Sequence, residues 1–68
     1  MPATFWKDGK RLTVGQALDL WLVHMQEHYQ GDESYDLHFF ADAAQGFHMP
    51  MQMVKDAGIE IIFEGQMV

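Results

Sequence analysis

The chain has 68 residues, enough for one domain, and a domain this short buries only about 60% of its unfolded surface. A hydrophobic content of 49%, with five Phe, two Trp and two Tyr, excludes a disordered composition, and the lack of Cys excludes disulfide staples, thiol catalysis and thiolate zinc sites. Ten acidic residues against four basic ones give a net charge of −6, which disfavours phosphate backbones and anionic lipid as direct partners and favours a basic protein surface.

The first element predicted is a hairpin over 3–13. Asp8-Gly9 sits between two β-compatible runs and suits a two-residue type I′ turn, where both positions need positive φ. That turn pairs Lys7 with Lys10, Trp6 with Arg11 and Phe5 with Leu12. Phe5 and Leu12 then face the core, and the Arg11 guanidinium shares the other face with the Trp6 indole, within stacking reach.

A helix over 14–30 follows. Thr13 and Gln16 form a capping box, and Gly31 fits the position beyond the last turn. Val14, Leu18, Trp21, Met25 and Tyr29 recur every three to four residues as one apolar stripe. Leu20 and Val23 lie off that stripe, so they are candidate apolar contacts for a partner or for a second copy of the chain.

The segment 35–45 reads as a short helix capped by Ser34, with Leu37, Phe40, Ala41 and Ala44 inward and Gly46 as its stop. The alternative is a strand over 35–40, in which Tyr35, Leu37 and Phe39 alternate with polar neighbours. Pro50 belongs in the first turn of another helix, 50–57, which Gly58 ends, with Met53, Val54 and Ala57 as its packing side. Finally, 59–64 alternates as a strand, with Ile59, Ile61 and Phe63 on one face and Glu60, Ile62 and Glu64 on the other. The assembled expectation for 1–68 is a single α+β domain of order ββαααβ, with an antiparallel sheet carrying helices on one face; ββαβαβ is the alternative.

Two short patterns suggest metals. "HMQEH", residues 24–28, matches the H-x-x-E-H arrangement of inverted zinc peptidases, in which His24 and His28 chelate one ion and Glu27 polarises its water. Such enzymes need a further ligand far downstream and a cleft that 68 residues do not supply, and two ligands are too few for a structural zinc. A third ligand would have to come from His38 or a distant carboxylate. "HMPMQM", residues 48–53, offers His48, Met49, Met51 and Met53 to Cu(I) if extended; as a helix, Met51 points away from Met49 and Met53. Packing or contact is the expected use of these thioethers, with Met49 and Met51 the candidate contact residues and no metal or other cofactor predicted.

Catalytic residues are not predicted. Ser34 lies in no nucleophile elbow, and the glycines are dispersed at turns rather than gathered in a phosphate loop. The basic-aromatic cluster of Lys7, Lys10, Arg11 and Trp6 is a weak nucleic-acid footprint beside an acidic body. Residues 1–11 have no apolar run of signal-peptide type and no stretch has the length of a membrane span, so a cytoplasmic, membrane-free protein is expected.

The remaining signal is charge distribution. Residues 1–11 sum to +2, whereas from residue 12 onward Lys55 alone opposes nine carboxylates, and 27–42 holds Glu27, Asp32, Glu33, Asp36 and Asp42 with no Lys or Arg. These five are the candidate binding residues for a partner with a basic surface, such as one that normally holds phosphates. In size, acidity and lack of a catalytic motif the chain is similar in kind to phage-encoded inhibitors of nucleic-acid machinery, anti-CRISPR proteins among them. That likeness is one of class and not of sequence. The competing expectations are a homo-oligomeric structural or regulatory subunit, motivated by Leu20 and Val23 in so small a domain, and a Zn or Cu(I) binding protein using the His and Met residues above.

Overall fold

The computed structural model describes residues 2–30 and 32–65. Among them the elements run β1 (Ala3–Lys7), β2 (Lys10–Leu12), α1 (Val14–His28), α2 (Glu33–Ala44), α3 (His48–Asp56) and β3 (Glu60–Phe63). This is an α+β domain of order ββαααβ with one antiparallel sheet ordered β2-β1-β3. Residues 35–40 are helical, which sets aside the strand alternative.

The hairpin forms as its turn chemistry requires. Asp8 and Gly9 have φ of 52° and 78°, and the register pairs Phe5 with Leu12, Trp6 with Arg11 and Lys7 with Lys10. On the other side β1 meets β3, with Ala3 opposite Phe63 and Phe5 opposite Ile61. Phe5, Phe63 and Ile59 are buried beneath the helices. On the outward face, Trp6 donates its indole N–H to Thr4 Oγ1 (2.8 Å), and Thr4 Oγ1 donates to the Ile62 carbonyl (2.9 Å).

The capping box of α1 is present: Thr13 Oγ1 accepts from the Gln16 N–H, and Gln16 Oε1 accepts from the Thr13 N–H. The buried stripe is narrower than predicted, consisting of Ala17, Trp21 and Met25. Val14 (62% exposed) and Tyr29 (55%) lie outside it. Both lie at the ends of the helix, one before Ala17 and one after Met25, the limits of its buried span. The left-handed residue after α1 is Gln30 (φ 49°), whereas Gly31 lies outside the described residues.

Helix α2 is rotated from its predicted orientation and begins earlier. Its N-cap is Asp32, whose carboxylate accepts from the Ser34 N–H, so Ser34 is not the cap. Asp36, Phe40 and Ala43 face inward; Leu37 and Ala41 are exposed. Two contacts set this rotation. Trp21 of α1 donates to the Asp36 carbonyl, and the Phe40 ring stacks on Phe5 of the sheet at 5.0 Å between centroids.

Helices α2 and α3 both end in Schellman motifs. Gly46 (φ 92°) donates to the Ala43 carbonyl and Phe47 to that of Asp42; Gly58 (φ 89°) donates to Lys55 and Ile59 to Val54. The second motif joins Val54 and Ile59, both fully buried, and so fixes where β3 leaves α3.

Candidate protein-interaction surface

The acidic residues predicted as a binding set come from the end of α1 and from α2 with its cap, and the fold divides them into three environments. Glu27, in the last turn of α1, Asp32, the cap of α2, and Glu33, its first residue, are exposed. They gather at the α1–α2 junction, where carboxylates at the start of α2 also complement its helix dipole. The Ser34 hydroxyl, and secondarily the Ser34 N–H, hold the Asp32 carboxyl below the usual carboxylate range.

Asp42 stands apart from this set. It is half-buried and lies one turn from His38, whose Nε2 is 3.7 Å from its carboxylate. Among the described residues this is the one side-chain ion pair, and it is charged only when His38 is protonated. Neither α1 nor α2 contains Lys or Arg, so histidines are the only basic side chains that the exposed carboxylates have on their own helices.

Asp36 departs from the expectation of a surface carboxylate. It is only 7% exposed, because the Trp21 hydrogen bond turns its position toward α1. It lines a groove of about 550 Å3 between α1 and α2, together with Leu22, Gln26, Gln30 and Glu33. Sequence reasoning missed Leu22, Gln26 and Gln30 as surface-forming residues. The i, i+4 spacing of Leu22 and Gln26 is the signal that could have placed those two together, whereas Gln30 lies beyond the helix at φ 49°.

The predicted apolar contact residues also separate. Leu20 is half-buried and packs against the core, so it is not an outward contact. Val23, opposite the buried stripe, is 53% exposed. Met49 is 75% exposed, whereas Met51 and Met53 are half-buried against the core. The junction adds exposed aromatic surface from Tyr29 and Tyr35, the latter packed edge-on against Phe39 at 4.6 Å.

The residues proposed for metals do not assemble a full ligand set. His24 and His28 have ring centroids 4.6 Å apart, as expected one turn apart on a helix. Among the described residues no third His, Cys, Asp or Glu joins them in a group able to hold an ion. Residues 48–53 are helical, so the alternation of Met49, Met51 and Met53 does not project them to one side. Among the described residues, no helix is long and apolar enough to cross a membrane.

No family model, curated protein or solved structure matches this chain.

Proposed function

We propose that this chain is a non-enzymatic protein-interaction module whose acidic α1–α2 junction covers a basic, nucleic-acid-binding surface of a partner protein. The observation that carries this reading is the exposure of Glu27, Asp32 and Glu33 on helices that contain no Lys or Arg. Unneutralised carboxylates beside Tyr29 and Tyr35 combine long-range steering with aromatic anchors, a composition suited to interfaces. By occupying Lys and Arg groups that otherwise hold phosphates, the module would inhibit its partner, as an anti-CRISPR protein or another phage-type inhibitor does in kind.

The test is affinity capture with the wild-type chain and with a Glu27→Lys/Glu33→Lys double variant, at salt from about 50 to 500 mM. The expected result is a nucleic-acid-binding partner that double-stranded DNA or heparin displaces and that both salt and charge reversal weaken. Undiminished capture by the double variant overturns the reading.

A second reading, the homo-oligomer, is favoured by the sheet. Among the described residues β3 is hydrogen-bonded only to β1, leaving its other edge open, and Ile62 on it is 38% exposed. Sedimentation at micromolar concentration separates the two, since a strict monomer excludes the second.

A further inference from the structure

Resting on the reading of the α1–α2 junction as the partner-facing surface, we infer that the groove beside it is a receptor for one arginine side chain of that partner, with Asp36 as the counter-ion. Asp36 is more than nine-tenths buried. Its main-chain groups are engaged: the N–H donates to the Asp32 carbonyl at 3.0 Å, and the carbonyl accepts from Trp21 Nε1 at 2.7 Å. Its carboxylate is not. Among the described residues no hydrogen bond or ion pair reaches it. Nor is any side-chain oxygen there both sealed from solvent and unpaired, so the carboxylate keeps its opening to the groove. A carboxylate held in a largely desolvated position gains most from a cation that enters and hydrogen-bonds to it.

The groove's other walls select the kind of cation. Gln26 on α1 and Gln30, just beyond the C-cap of α1, offer amide oxygens; Glu33, one turn before Asp36 on α2, offers a second carboxylate; Leu22 offers an apolar wall. A guanidinium matches this mixture. It is planar, donates through five N–H groups, and is weakly hydrated enough to lay a face against Leu22, whereas a lysine ammonium is a compact, strongly hydrated point charge. A bare metal ion is a poorer match, because the space is far larger than one ion and the described residues supply no cluster of three charged or imidazole ligands. No segment from residue 12 to 54 supplies a Lys or Arg of its own, which leaves the cation to come from a partner.

The test uses N-acetyl-arginine methylamide titrated into the isotope-labelled full chain and followed by amide chemical shifts. The expected result is saturable shifts at Gln26 and Gln30 side-chain amides and at Glu33 and Asp36, with Kd on the order of 1 mM for so small a probe. The lysine analogue binds more weakly, and Asp36→Asn weakens the arginine probe about tenfold, as removal of one charge-assisted pair does. If Asp36→Asn fails to fold, Glu33→Gln at the groove's rim and Gln26→Ala take its place, each expected to weaken the probe severalfold. Shifts absent or unsaturable, shifts indifferent to all these variants, or the same shifts produced by calcium chloride at lower concentration would overturn the inference. Loss of probe binding alongside intact, polyanion-displaced partner capture rejects the arginine receptor alone; loss of salt-sensitive capture with probe binding intact rejects the wider reading.

Discussion

The indole N–H of Trp21 donates a 2.7 Å hydrogen bond to the main-chain carbonyl of Asp36, tying α1 to α2 from inside the core. Trp21 is fully buried, so Trp21→Phe both removes this bond and leaves a void where the larger ring was. The expected loss is roughly 2–4 kcal/mol of unfolding free energy, read from urea denaturation. A loss under about 1 kcal/mol would mean that the bond does not hold α2 in place.

Acid should act on α2 through its cap. Hydrogen bonds from the Ser34 hydroxyl and N–H lower the Asp32 pKa in the folded chain. A lowered carboxylate stabilises the fold above its unfolded value, about 3.9, and that contribution is lost as pH falls through the folded value. Asp32→Asn keeps a capping side chain but cannot titrate. Denaturation of both proteins from about pH 6 to about pH 2 should show the wild type losing the larger increment below its unfolded pKa. Parallel curves would mean that the cap carboxylate titrates normally.

Gly58 sits at φ 89°, where a Cβ is strained whatever space surrounds it, and its N–H closes the turn that hands α3 to β3. Gly58→Ala is therefore expected to cost about 1–2 kcal/mol. Gly15, inside α1 with a helical backbone, gives the opposite sign: Gly15→Ala should stabilise by roughly 0.5–1 kcal/mol. Thermal melts of the two variants on either side of the wild type would support both assignments, and a stabilised Gly58→Ala protein would contradict the first.

Local chemistry made much of this fold legible. Asp8-Gly9, Thr13 with Gln16, and the glycines at 46 and 58 each require a particular backbone geometry from neighbours in sequence, and each appears as required. Helix rotation was harder to read. Nothing near Leu37 in sequence says that Asp36 turns inward instead; that depends on Trp21, 15 residues away. The same long-range contact removed Asp36 from the exposed acidic set and made it part of a groove with α1, so the site's carboxylates were legible individually but their division into rim and interior was not.

Leu20 and Val23 provide a last discrimination, because both looked like outward contacts and only one is. Leu20 flanks the buried stripe and packs against the core, whereas Val23 points away from it. Leu20→Ala should therefore cost about 1–2 kcal/mol in the isolated chain, a fraction of a fully buried leucine. Val23→Ser should change stability by no more than about 0.5 kcal/mol. If Val23 is instead covered by a second copy, Val23→Ser will lower the sedimentation coefficient and make the melting midpoint fall with dilution, because oligomer stability follows concentration by mass action. An unchanged sedimentation coefficient with a destabilised Leu20→Ala protein assigns Leu20 to the core of the monomer and leaves Val23 as ordinary exposed apolar surface, which single residues tolerate without a partner.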